Sequence, residues 1–188
     1  MNYAIDKTEF ETLLRQENAD ISGIIVEGVN LENITTKGVK FYNCKLVSCS
    51  FINCDFSGSG FYGTTFVNCC FLHCNLASSE FHEGDYSGTD FSDSDFNGAE
   101  LFGGDFSAAN FTNVKFEWTK IVRSDLRNAT FENVFFNGTG LVNNKLYNKS
   151  QFLFKNVGFK KNENNDFSPN GDGTDITDGI ETMRRLSK

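Results

Sequence analysis

A large side chain returns every fifth residue through most of this chain, and the register never slips. Stepping in fives from Ile21 to Leu146 passes 26 positions, of which only Thr36 is neither apolar nor aromatic. Fourteen of the 21 phenylalanines stand on this series, among them Phe41, Phe51, Phe61, Phe71, Phe81, Phe91 and Phe111. A helix repeats every 3.6 residues and a flat strand every two, so neither accounts for a strict five. A short extended piece followed by a turn does, and tandem short repeats stack into a solenoid.

Two positions before these large residues lies a second biased site, dominated by small residues as far as Ala129: Cys44, Cys49, Cys54, Ser59, Thr64, Cys69, Cys74, Ser79 and Gly84 among them. Residues two apart in an extended segment point the same way, so the small and the large side chain both face inward. The residue between them faces solvent and is usually polar, as at Asp55, Asn75, Asp85, Asp90 and Asp105. The last two residues of each unit turn the corner, where Asn43, Gly58, Gly63, Asn68, Gly88, Gly98, Gly103, Asn113, Asn128 and Gly138 recur.

Ala19-Asp20-Ile21-Ser22-Gly23, Thr89-Asp90-Phe91-Ser92-Asp93 and Ala109-Asn110-Phe111-Thr112-Asn113 resemble the A-(D/N)-(L/F)-x-x motif of the pentapeptide-repeat family. The resemblance covers residues 19–150 without interruption and implies four repeats per coil. The expected fold is therefore all-β, a right-handed quadrilateral β-helix of about six and a half coils, roughly 30 Å long at the usual strand spacing. Such a coil stacks Phe51, Phe71, Phe91, Phe111 and Phe131 in one inward column.

An open β-helix exposes core and backbone at its ends and needs caps. Lys7 to Gln16 carries Phe10, Leu13 and Leu14 at helical spacing, with Asp6 or Thr8 as N-cap, so residues 1–18 read as a capping helix. After Leu146 the five-step fails. Residues 151–188 hold a strand-like apolar segment (Phe152, Phe154, Val157, Phe159), a Gly- and Asn-rich linker, and a helix from Ile176 to Leu186 with Ile180 and Met183 on one face. In Qnr- and MfpA-type members of the family the C-terminal segment makes a dimer. That analogy implies a homodimer here, anchored by Phe152, Phe154, Phe159, Ile180 and Met183; packing of the helix on the chain's own rod is the alternative.

Nothing in the sequence assembles into catalytic chemistry. Cys44, Cys49, Cys54, Cys69 and Cys74 occupy the small inward slot, Cys70 points outward, and their spacing matches no zinc motif. His73 and His82 are the only histidines and are expected at outward corners, without a nucleophile or acid partner. Ser168 to Asp175 departs from a calcium loop at its first and twelfth places. No cofactor or metal is implied, and the chain is expected not to be an enzyme. A net charge of −8 argues against direct nucleic-acid binding and against docking on an anionic membrane. With no apolar run long enough to span a bilayer and no signal-like start, the expected compartment is the cytoplasm.

Function, on this reading, lies outward. No Lys or Arg occurs between Lys45 and Lys115, while eight acidic residues fall between Glu80 and Asp105. A twenty-residue coil stacks Asp85, Asp105 and Asp125, sets Glu80 over Glu100, and leaves Asp90 and Asp95 on the remaining faces, an acidic belt suited to a basic groove. A second surface aligns Tyr42, Tyr62, His82, Phe102, Val122 and Val142 in an apolar stripe. Trp118 and Phe135 are also expected to face outward, on the surface or under the C-terminal tail. The Qnr- and MfpA-type resemblance implies a DNA mimic that acts on a type II topoisomerase, DNA gyrase or topoisomerase IV, and confers quinolone resistance. The chain lacks the loops that interrupt Qnr repeats, as MfpA-type members also do. The alternative is a protein-interaction scaffold of unknown partner that uses the apolar stripe.

Overall fold

The fold follows the fivefold step coil by coil, in a computed structural model that describes residues 2–36, 38–142, 144, 153–155 and 158–159. The chain forms a parallel β-solenoid of about seven turns. Its first face is a seven-stranded sheet of Asp20–Ser22, Lys40–Tyr42, Gly60–Tyr62, Glu80–His82, Glu100–Phe102, Lys120–Val122 and Gly140–Val142. Registers advance by one coil per strand, with Phe41 opposite Phe61 and Phe81 opposite Leu101. The second face carries Asp85 and Asp105, the third Asp90 and Phe91, and the fourth Asp95 and Phe116.

From residue 40 onward, the residue preceding each large inward side chain decides the local backbone. Where it is Lys, Ser, Gly, Thr, Cys, Glu or Phe, a three-residue strand forms; where it is Asp or Asn, a single bridge is followed by a tight turn. The cause is a side-chain acceptor. Oδ1 of Asp55, Asn75, Asp85, Asp90, Asp95, Asp105, Asn110 and Asp125 accepts the N–H of the residue two positions on, at 2.8–3.1 Å. This Asx turn competes with the extended ladder. Asp20 and Asn30, in the first coil, remain in strands. Every corner from Asn18 to Gly138 places one residue at φ 51–70°, which is why Asn and Gly recur there.

Inside, the rings stack face to face along a column and edge to face between columns. Phe41–Phe61 and Phe61–Phe81 centroids lie 5.1 and 4.8 Å apart, while Phe61 meets Phe66 at 81°. The small inward residues do more than fill space. Where the small residue is Cys, and at Thr64, Ser94, Thr119, Ser124 and Thr139, its side chain donates to the carbonyl of the large residue 23 positions earlier. Cys44 Sγ donates to Ile21 O at 3.4 Å, Cys74 Sγ to Phe71's neighbour in the stack, Phe51 O, at 3.4 Å, Ser94 Oγ to Phe71 O at 2.8 Å and Thr119 Oγ1 to Phe96 O at 2.7 Å. Thr36, the one polar member of the large series, is buried and pairs its hydroxyl with Ser59 Oγ at 3.1 Å.

The first coil is closed by the helix Lys7–Leu14, capped by a reciprocal Asp6–Glu9 box, with Phe10 and Leu14 fully buried. Phe10 sits 6.2 Å from the Phe41 ring and plugs the column. A strand absent from the sequence reading, Tyr3–Ala4, pairs with Ile24–Ile25 and extends the second face by one step. At the other end, pairing continues past the last five-step. Leu153–Lys155 aligns with Thr130–Glu132, and Gly158–Phe159 with Phe135–Phe136, after a step three residues longer than the regular coil. Phe154 and Phe159, expected as dimer anchors, thus lie in strands that add to the rod. Phe152, Ile180, Met183 and the C-terminal helix fall outside the described residues.

Candidate interaction surfaces

The coil brings the expected acidic residues into register. Asp85 bridges Asp105 and Asp105 bridges Asp125 on the second face, while Glu80 pairs with Glu100 on the first. Asp85 and Glu80 are exposed, and Asp105 and Glu100 are half-buried. The belt fades toward the C-terminal end. Glu100 has Lys120 at 3.6 Å and Asp95 has Lys115 at 3.6 Å, both exposed pairs that solvent weakens. Asp90 accepts from Ser92 and from Asn110 Nδ2, so its carboxylate is largely spent on its own neighbours.

Asp125 does not belong to the outward belt. It is only 7% exposed, and Arg127 forks onto it, with Nε 2.8 Å from Oδ1 and Nη2 2.5 Å from Oδ2. The carboxylate in turn holds the Arg127 guanidinium in its charged form, its pKa raised by that hydrogen bond. The signal was in the sequence: residues flanking a large inward residue both point outward, so Arg127 had to meet Asp125. Two acidic residues outside the expected set, Glu83 and Asp93, are exposed at positive-φ corners and extend the negative surface.

The aromatic stripe is a packed column. Tyr42 stacks on Tyr62 at 5.0 Å, Tyr62 meets His82 edge-on at 5.4 Å, and His82 meets Phe102 at 5.7 Å. Arg123 closes the column with its guanidinium 5.7 Å from the Phe102 ring. All four rings are half-buried, because each lies along the sheet; Tyr62 covers Gly60, where a Cβ would come 2.3 Å from Cε2. The Tyr62 hydroxyl donates to Glu80 Oε2, and burial followed by that carboxylate raises its pKa. His82 is therefore a member of this column and not a free corner residue; its Nε2 is buried without a partner. His73 is at an exposed corner.

The cysteines are free, and only Cys70 is outside the core. Adjacent thiols of Cys49 and Cys54, then burial, push the Cys69 and Cys74 thiols upward. Burial raises Cys44. Among the described residues no three His, Cys, Asp or Glu side chains converge on a metal position, and no helix is long and apolar enough to cross a membrane. The exposed large apolar residues among those described are Tyr3, Trp118 and Phe135, the last two on the fourth face.

Similar proteins share this architecture. A trypsin-treated variant of QnrB1, a plasmid-mediated fluoroquinolone resistance protein, superposes with a TM-score of 0.63 at 20% identity, covering 89% of this chain and 97% of that one. Full-length QnrB1 gives 0.50 at 18% identity, covering 90% and 100%. Comparison with curated protein sequences gives no significant match. The family model for pentapeptide repeats matches in eight copies over residues 37–71, 74–113 and 109–143, and the chain belongs to the pentapeptide-repeat family.

Proposed function

We propose that this chain is a non-enzymatic binding protein that presents a carboxylate-rich flank of the rod to a basic groove on a protein partner. In its finer form the flank imitates the charge of duplex DNA and engages a type II topoisomerase, DNA gyrase or topoisomerase IV, with protection from quinolones as the consequence. The fold it shares with QnrB1, a fluoroquinolone resistance protein, points toward that partner.

One observation carries the reading. The tight turns at residues 85, 90, 95 and 105 ask only for an Oδ1 acceptor, and Asn75 and Asn110 make the same turn as neutral amides. Four carboxylates therefore stand where the fold would accept asparagine. Their charge is surplus to the turn, and in the Asp85–Asp105 column it places like charges about 4.8 Å apart. A surface that keeps such repulsion is suited to long-range attraction of a positively charged groove.

The test uses substitutions that keep the turns. A Glu80→Gln/Asp85→Asn/Glu100→Gln/Asp105→Asn variant should retain its melting temperature. The wild type should inhibit gyrase supercoiling or protect it from quinolone at micromolar protein, and the variant should not. Equal behaviour of the two proteins would sink the charge reading; no effect from either would remove the topoisomerase. The second reading, a scaffold that binds through the Tyr42–Tyr62–His82–Phe102 column, is favoured by the continuity of that stack. Tyr62→Ser/Phe102→Ser should then abolish partner capture that the charge variant leaves intact.

A further inference from the structure

Three features meet on the fourth face beside the last described strand, Gly158–Phe159. Trp118 and Phe135 are 60% and 45% exposed. The Trp118 ring lies across the neighbouring Gly138, where a Cβ would come 2.4 Å from Cε3. Between Phe135 and Gly138 stands Asn137, only 8% exposed, with its Oδ1 buried and unpartnered. A buried amide oxygen without a donor is an uncommon feature that asks for one. The last described strand is paired at this place, Gly158 with Phe135 and Phe159 with Phe136, and residues 160–188 follow in sequence.

We infer that Trp118, Phe135 and Asn137 form the docking site for this chain's own C-terminal segment, residues 176–186. Ile176, Ile180 and Met183 recur at helical spacing and supply one apolar face for the two exposed rings. Arg184 and Arg185 follow directly, and Glu117, exposed beside Trp118, gives them a carboxylate. Residues 160–175 can span roughly 50 Å when extended, whereas Trp118 lies two coils back from Phe159, roughly 10 Å along the rod. Tethering through a Gly- and Asn-rich linker of this length sets an effective concentration near the millimolar range. A second copy, which would make the homodimer expected from the family resemblance, competes only at its own far lower concentration.

Trp118 is the only tryptophan in the chain, so its fluorescence reads this site alone. In the full chain its emission should be blue-shifted and poorly quenched by acrylamide, with no dependence on protein concentration. In full-length Ile180→Asp/Met183→Asp the emission should shift to the red and the quenching constant should rise several-fold. The rod's circular dichroism should not change, because the fivefold repeats are untouched, and the melting temperature should fall slightly as the docked segment is lost. Identical quenching in the two proteins overturns the inference. Protection that appears only as concentration rises, together with a doubled mass by light scattering, gives the site to a second copy and overturns the own-chain assignment.

Discussion

Tyr86 gives the sharpest test of how the interior is wired. It is the one tyrosine in the large inward series, and its hydroxyl donates to Phe61 O at 2.6 Å. At several other large residues that duty falls to the small residue of the next coil, as Thr64 does for Phe41 O and Ser94 for Phe71 O. The small residue that would serve Phe61 is Gly84, which has no side chain. A Cβ there would lie 2.4 Å from the Tyr86 hydroxyl, so the phenol fills the space the glycine leaves. Phe61 O also lies in the ladder with Glu80–His82, so Tyr86→Phe should remove its second donor, a loss of about 1 kcal/mol. For a domain of this size that lowers the melting temperature by roughly 2–4 °C. Thermal melts followed by circular dichroism decide it, with Ser94→Ala as the matched deletion of a donor to Phe71 O. The pH dependence supplies a second arm. Burial raises the Tyr86 pKa, so the folded phenol stays neutral while the unfolded one ionises above about pH 10. Its contribution is whole below that pH and falls by about 1.36 kcal/mol per unit above it, so wild type and Tyr86→Phe should converge in alkali. A loss below about 1 °C near neutral pH, or a gap that stays constant above pH 10, would refute the carbonyl accounting.

Other perturbations separate the remaining roles. Asp105→Asn should leave the melting temperature unchanged, whereas Asp105→Ala, which removes the acceptor for Ser107 N–H, should cost about 1 kcal/mol. With a thiol reagent under native conditions, Cys70 should react and the five buried cysteines should not until the rod unfolds. Phe91→Ala, in the middle of the ring column between Phe71 and Phe111, should cost about 3–5 kcal/mol in a denaturant titration.

Most of the coil was legible because the period of five assigns each position a direction. The inward series, the small slot and the corners all follow, and the Asn and Gly residues read as turns are those at positive φ. What the period could not give lies in pairings that cross it. Asp125 and Arg127 flank one inward residue and neutralise each other, which a search by columns alone overlooks. His82 reads from its slot both as a corner residue and as a member of the stripe, and contact with the Tyr62 and Phe102 rings decides for the stripe. Tyr3–Ala4 joins the sheet with no repeat motif, since a strand edge needs only backbone donors and acceptors. The strand Leu153–Lys155 resumes the stack after an irregular step, which a strict five-residue count cannot follow.

The corners offer a further way to separate fold from function on this rod. The residue two after each large inward side chain must adopt φ of 51–70°, which glycine does freely and asparagine tolerates. A bulky or charged residue there gives up about 1 kcal/mol that Gly would retain. His73, Glu83, Asp93, Trp118 and Arg123 do so, and three of them, Glu83, Trp118 and Arg123, at φ 53°, 58° and 55°, touch the surfaces described above. Glu83 lies beside the Glu80–Asp85 carboxylates, Trp118 over Gly138, and Arg123 over the Phe102 ring. If the strain is retained for binding, Gly at any of the three should stabilise the rod and weaken the contact of that surface. A glycine variant that gains stability and keeps full binding would show that its corner was strained without purpose.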